Sequence, residues 1–204
     1  MKRRTRLGID RDEARSRILG IAEKHIRGMG YHKTTIANIA SELGMSPANI
    51  YRFFRSSNAI KELICDRIIN ELVDIVGTIA RTKAPATDRL KQFLIEVHHH
   101  KKMILVKHKH VHDLTVAATH ENWGAIKNHT EKVLTLLESI IRDGIEAGEF
   151  EVKNAAEAAR GVKFAFMPFF HPILLEQHVQ HGDDIEADLH DQIRFVLRAL
   201  RKSE

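Results

Sequence analysis

The sequence is poor in the residues that punctuate or cross-link small folds. Of 204 residues only 4 are proline, and Cys65 is the sole cysteine. A single thiol forms no intramolecular disulfide, which excludes a stapled secreted scaffold. No stretch approaches the roughly 18 uninterrupted apolar residues of a membrane span. The opening residues, MKRRTRLGIDRDEAR, lack the apolar run of a signal peptide. Strand-like alternation of β-branched residues is missing, and Gly–Pro turn clusters are few. The expectation is an all-α protein of the reducing cytoplasm, with no membrane partner and no cofactor.

What is present is the balance of a soluble globular chain, 43% apolar and 29% charged. Its charge is polarised. Residues 1–60 carry 12 Lys/Arg against 5 Asp/Glu, whereas residues 61–204 carry 20 against 22. All of the basic excess therefore lies in the N-terminal third, as in a module that faces a polyanion. A basic surface without a partner is the plainer alternative.

Apolar residues recur at three and four nearly throughout, which predicts about nine helices. Asp10 and Glu13 have capping-box spacing for the first, which carries Ile18, Ala22, Ile26 and Met29 on one face and stops at Gly28–Gly30. Thr34 or Thr35 caps a short second helix that Gly44 ends. Ser46–Pro47 reads as an N-cap followed by proline at the first helical position, which starts a third. Ser56–Ser57 opens a fourth helix reaching about Arg81, and a fifth follows residue 84. A short sixth is expected near 109–119. Trp123, Ile126, Val133, Leu137 and Ile140 stripe a seventh, and Asn154 with Glu157 caps an eighth. Ile185, Leu189, Ile193, Val196 and Leu200 stripe a ninth.

The informative stretch is Ile36–Phe53, IANIASELGMSPANIYRF. A helix-turn-helix needs a small residue where its helices cross, a left-handed residue in the turn, and apolar positions on both sides. Ala40, Gly44 and the set Ile39, Leu43, Met45, Ile50 and Phe53 meet those needs. The remaining face of the third helix offers Ser46, Ala48, Asn49, Tyr51 and Arg52, short or polar groups suited to base edges and phosphates. An ordinary α-hairpin with a glycine turn is the bland alternative.

Residues 17–64 resemble the DNA-binding domain of the TetR (tetracycline repressor) family. Ala22, Gly30, Tyr31, Thr34, Thr35, Ile39, Ala40, Gly44, Ser46, Ile50, Tyr51 and Phe54 sit at positions matching its pattern. The resemblance implies a three-helix DNA-binding domain over 1–56 and a larger helical effector-binding and dimerisation domain over 57–204. Thr34 and Thr35 would cap the second helix and bond a phosphate. Ser46, Pro47, Ala48 and Asn49 would face the bases, and Tyr51, Arg52 and Arg55 the backbone. The family usually has Lys at the position of Ser57 and often Pro at that of Arg55, so either Arg55 would supply the missing charge two residues early or one backbone contact is lost. Lys2, Arg3, Arg4 and Arg6 look like an arm for a minor groove, or a solubilising tail. Together these imply a non-enzymatic repressor that binds a near-palindrome of double-stranded DNA as a homodimer and is released by a small-molecule effector.

In the remainder, GVKFAFMPFFHPILL (161–175) is apolar all round, and a helix with no polar face must be covered on every side. Paired with the ninth helix's stripe, it would form a dimer interface within residues 154–202, with Pro168 and Pro172 bending or ending it. A buried central helix of a monomer is the alternative. Expected effector-pocket residues are Phe93, Val97, Lys101, Trp123, Phe166, Met167 and Phe170, although such spacing also suits plain core. Lys101 lies between Val97 and Ile104 on an apolar face, where a buried ammonium would need an anionic partner. A lysine snorkelling from the helix margin is the preferred reading.

Histidine is over-represented, at 14, with runs at His98–His100 and His108–His112. His108 and His112 are one helical turn apart and suit a metal shared with His120, His129 or His171. A metal-sensing regulator of the same fold is therefore the second reading. A pH-responsive or merely solvated cluster is the other reading of the histidines. A histidine-rich all-α metalloenzyme is a remote third, because the chain lacks HExxH, a phosphate-cradling glycine loop, and a Ser or Cys elbow.

Overall fold

The computed structural model describes residues 11–182 and 184–201, and every regular element among them is a helix. These are α1 (Arg11–Met29), α2 (Ile36–Glu42), α3 (Pro47–Tyr51), α4 (Ser57–Ala80), α5 (Ala86–Lys107), α6 (Lys109–His120), α7 (Gly124–Glu146), α8 (Ala155–Ala165), α9 (Met167–Phe170), α10 (Pro172–His181) and α11 (Ile185–Leu200). The capping position Asp10 and the basic residues Lys2, Arg3, Arg4 and Arg6 lie outside the described residues. No helix among those described is long and apolar enough to cross a membrane.

Local chemistry sets most boundaries. Ser56 Oγ accepts from the Ala59 amide at 3.1 Å, and Asn154 Oδ1 accepts from Glu157 at 3.1 Å, so both polar caps close the first turn of the helix they precede. Segment 161–175, read as one continuous helix, is three. Pro168 stands in the first turn of α9 and Pro172 in that of α10, where a missing N–H costs nothing, and each therefore begins a helix instead of bending one. Among the described residues there are therefore eleven helices where about nine are expected.

The chain forms two compact units. One comprises the chain through Ile68 together with His108–Ile126; the other comprises Ile69–Lys107 and Lys127 onward. The units do not follow a 56/57 division, because the first half of α4 and the whole of α6 belong with the N-terminal helices. The first unit is built on Ile18, Ala22 and Ile26 of α1, Ile39 and Ala40 of α2, Ile50 of α3, Ile60 and Ile64 of α4, and Leu114 of α6, all at most 1% exposed. Met29, expected on the inner face of the first helix, is 38% exposed at its last position. Buried Cys65 keeps its proton, since desolvation, then Asp66 and Glu62, push its thiol up to about 12.

The second unit packs α5, α7, α8 and α11 around Leu90, Phe93, Leu94, Ile140 and Leu189. Two acidic residues pin α5. Glu149, just after α7, accepts the Ala86 and Thr87 amides at 2.8 Å each, satisfying the open donors of the first turn of α5. Glu186 of α11 binds Lys102 Nζ at 2.6 Å and His99 Nε2 at 3.2 Å. Burial pushes the Glu186 carboxyl up, but the Lys102 and His99 bonds and the charges of His98 and Lys102 outweigh it, leaving it at about 2. Gly144 is obligatory for a steric reason: a Cβ there would stand 2.2 Å from the Phe150 ring and 2.9 Å from Ala86 Cβ.

Candidate functional site

The N-terminal reading head is assembled from α2, the turn and α3. Thr35 is the N-cap of α2: its hydroxyl accepts from the Asn38 amide at 3.2 Å and donates to Asn38 Oδ1 at 2.6 Å. In the turn, Gly44 adopts φ +62°, the left-handed conformation that a Cβ disfavours, and the Met45 amide returns to the Ala40 carbonyl at 2.9 Å. Ser46, in extended conformation, then caps α3 by accepting from Asn49 N at 3.3 Å, with Pro47 at the first helical position.

This chemistry divides α3 sharply. Ile50 is wholly buried and anchors the helix, while Ser46, Pro47, Ala48, Tyr51 and Arg52 are exposed, Tyr51 by 54%. Asn49 is half-buried, and Arg55 and Thr35 are exposed on either side of the helix. The outward edge of α3 is therefore uncovered by its own unit. A tyrosine left half in solvent is unusual for packing and well suited to a phosphate or base contact.

One expected contact is corrected. Thr34 is 2% exposed, and its hydroxyl donates to the Gly30 carbonyl at 2.9 Å. It closes the α1–α2 turn and presents nothing to a phosphate, leaving Thr35 as the outward threonine. Likewise Phe54, at 3% exposure, fills the core position assigned to Phe53, which is half-buried with Leu43 and Met45.

Two supports of the head have no local signal in the sequence. Arg15 of α1 donates from Nη1 to the Phe53 carbonyl at 2.9 Å and lays its guanidinium 4.3 Å from the Phe54 ring centroid, so α1 fixes the segment following α3. Glu42, at the end of α2, takes Lys24 Nζ at 2.7 Å and His25 Nε2 at 2.5 Å, both from α1. The Lys24 bond, then that of His25, holds its carboxyl below the ordinary range.

A short polar recognition helix standing out beyond a glycine turn is matched by the comparisons with known proteins. Residues 18–61 match the family description "Bacterial regulatory proteins, tetR family", and residues 86–191, more than half of the chain, match "Tetracyclin repressor-like, C-terminal domain". The chain belongs to the TetR family. It is a TetR-family transcription regulator with a helix-turn-helix DNA-binding domain. Among solved structures it is similar to a transcriptional regulator from Saccharomonospora viridis in complex with choline, with 21% identity, TM-score 0.66, and coverage of 94% of this chain and 100% of that one. FadR from Bacillus subtilis in complex with stearoyl-CoA gives 16%, 0.58, 89% and 97%. SmeT, the repressor of the Stenotrophomonas maltophilia multidrug efflux pump SmeDEF, gives 17%, 0.66, 93% and 91%. Identities this low establish a shared fold. No curated protein sequence matches the chain.

In the TetR-family C-terminal region, Phe93, Val97, Phe166 and Phe170 of the expected pocket residues share one apolar cluster. Phe93, Val97 and Phe166 are at most 1% exposed and belong to the core, while Met167 and Phe170 are half-buried. Phe166 stacks on Phe170 at 5.4 Å between centroids and approaches Phe169 at 5.7 Å. Trp123 belongs to the first unit and donates its indole N–H to Glu121 at 2.8 Å. An open groove of about 490 Å³ lies in the second unit between α4 and α7, lined among others by Val73, Gly77, Arg81, Asn128 and Lys132, and by none of the expected residues. Lys101 is half-buried on α5, and burial lowers its ammonium from 10.5 to about 8.

The histidine runs do not converge. His108 is exposed at the N-cap of α6, whereas His112 faces inward at 2% exposure, because residues four apart on this helix straddle its entry from an irregular residue. His98 is buried against Phe169, its Nδ1 3.4 Å from the carbonyl, and His99 is exposed beside Glu186. Among the described residues no group of three or more His, Cys, Asp or Glu is arranged to hold a metal ion.

Proposed function

We propose that this TetR-family regulator is a cytoplasmic repressor that binds a near-palindromic operator as a homodimer and is released by a small-molecule effector. The observation that carries the reading is the uncovered edge of α3, with Ser46, Pro47, Ala48, Tyr51 and Arg52 exposed beside Thr35 and Arg55. Five helical residues read too few bases to select one genomic site, so two heads on a symmetric site supply the discrimination. In this arrangement Asn49 and Ala48 face the bases, while Thr35, Tyr51, Arg52 and Arg55 hold phosphates and make affinity steeply salt-dependent.

Dimerisation finds support on α8 and α11, which pack together in the second unit. The α11 stripe expected at the interface (Ile185, Leu189, Ile193, Val196 and Leu200) is buried in the chain's own core at no more than 6% exposure. The rings left out are Phe164 on α8, 66% exposed, and Phe195 on α11, 67% exposed. A second copy covering them would form the four-helix interface, and the contact surface is thus the opposite face of α11 from that expected. Effector release follows the relatives solved with choline or stearoyl-CoA, and repression follows SmeT. The coupling equals the effector's preference for one spacing of the two heads over another.

Mobility-shift titration tests this directly. Tyr51→Ala is expected to weaken binding to all sequences alike and to lower the salt slope, a phosphate contact being lost. Unchanged affinity and slope would remove α3 from the interface.

A further inference from the structure

Two cations of the second unit that lie against its core carry counter-charges. Arg89, 8% exposed, is bonded to Asp143 and to the Ala80 carbonyl at 2.8 Å each. Lys102 is bonded to Glu186 at 2.6 Å. Its neighbour Lys101 has no hydrogen bond or ion pair with any described residue, although burial desolvates its ammonium. Two imidazoles share its surroundings. His100, adjacent on α5, has a buried Nε2 without a hydrogen-bond partner, and His129 of α7, 8% exposed, has a buried Nδ1 in the same condition.

The charges acting on this cluster are all of one sign. Lys101 acts on His100, and Lys101, His100 and Lys132 all act on His129, with no carboxylate among them. Burial, then these cations, leaves His129 at about 3, and burial followed by Lys101 lowers His100 as well. At neutral pH both imidazoles are therefore uncharged, each with one N–H to donate, while Lys101 is still mostly an ammonium. Two buried imidazole nitrogens without a partner, beside an ammonium without a counter-charge, form the complement of a group that only accepts. Val97 lies one turn before Lys101, and Val133 one turn after His129; both pack in the apolar core of the unit, so the surroundings beyond the donors are hydrocarbon.

We propose that Lys101, His100 and His129 form the head-group site for an effector that carries a carboxylate on an apolar body. The carboxylate oxygens accept from the ammonium and from the two imidazole N–H groups. The inference rests on the effector-binding reading above and names the chemical class of the effector. A cation is repelled here, and a neutral alcohol leaves the ammonium unpaired.

The test uses the full chain and three probes of equal tail length: octanoate, 1-octanol and octyltrimethylammonium. Binding is followed by calorimetry and by the ¹⁵N shifts of the His100 and His129 rings. Octanoate is expected to bind at least tenfold more tightly than either other probe and to shift both rings. Lys101→Met is expected to reduce octanoate to the affinity of octanol, and Lys101→Gln provides the same comparison should the methionine variant fold poorly. Octanoate binding no tighter than octanol, including no binding at all, overturns the proposal, as does a Lys101 variant that binds octanoate like the parent. Mobility shifts on the same samples, with DNA enriched by the parent protein, keep the two readings apart. Failure of the ligand-free chain to bind DNA, with octanoate preference intact, counts against the regulator reading alone; DNA binding without octanoate preference counts against this site alone.

Discussion

A lysine kept without a counter-charge ought to cost stability, and Lys101→Met measures that cost. Burial lowers the folded-state pKa of Lys101 from 10.5 to about 8. Between those values the unfolded chain holds a proton that the folded chain has released, so stability rises with pH across about 8 to 10.5 and the full penalty applies below 8. A shift of this size corresponds to about 3 kcal/mol at most. The side chain is partly exposed, so solvent screening reduces the effect to about 1–2 kcal/mol. Methionine is close in length, carries no charge and leaves no void. At pH 7 Lys101→Met is therefore expected to be more stable than the parent by about 1–2 kcal/mol, with a melting temperature higher by about 2–4 °C per kcal/mol. The gain is expected to vanish by pH 10.5. His100 and His129, which face the same group, are both lowered from 6.5 and so are uncharged at both pH values; neither titrates across the comparison. Urea unfolding at pH 7 and pH 10.5 gives the result. A variant less stable than the parent at pH 7, or a difference independent of pH, would show that Lys101 carries no burial penalty.

Three further perturbations probe other parts of the molecule. Gly44→Ala places a Cβ at φ +62° with no atom within 4 Å, so the loss is purely conformational, about 1–2 kcal/mol by chemical unfolding. Phe195→Glu is expected to turn dimers into monomers in sedimentation velocity, weakening association at least about a hundredfold, since the ring is lost twice in a symmetric contact. Acid unfolding is expected to be biphasic in origin: stability falls below about pH 6.5 as unfolding allows His129 to charge, and falls again from about 4.5 toward 2 as the Glu186 pairings are lost. Glu186→Gln is expected to remove the lower limb alone in a circular-dichroism titration.

Features governed by near neighbours in the chain are legible in the sequence itself. Ser46–Pro47, Asn154–Glu157 and the glycine at 44 each act within four residues, and their caps and turn stand where the sequence places them. The two prolines of 161–175 are equally visible, but a proline that ends one helix and a proline that begins the next leave the same trace. Features set by distant partners are not legible. Thr34 and Thr35 are adjacent and chemically identical, and only the fold of α1 against the turn sends one hydroxyl inward to Gly30. Arg15 reads as an ordinary helical arginine until Phe53 and Phe54 are brought to it from 38 residues away. The amphipathic pattern of α11 identifies its buried stripe and says nothing about which chain buries it. For Lys101 the sequence favours escape to solvent, and the burial that lowers its ammonium leaves no trace in local periodicity.

Enrichment of DNA from a random pool by the parent and by Asn49→Ala in parallel shows whether α3 reads base sequence. An inverted repeat is expected from both proteins, with the preferred bases altered at the same position of each half-site in the variant. The same consensus from both proteins, or no consensus from either, would exclude α3 as the reading element.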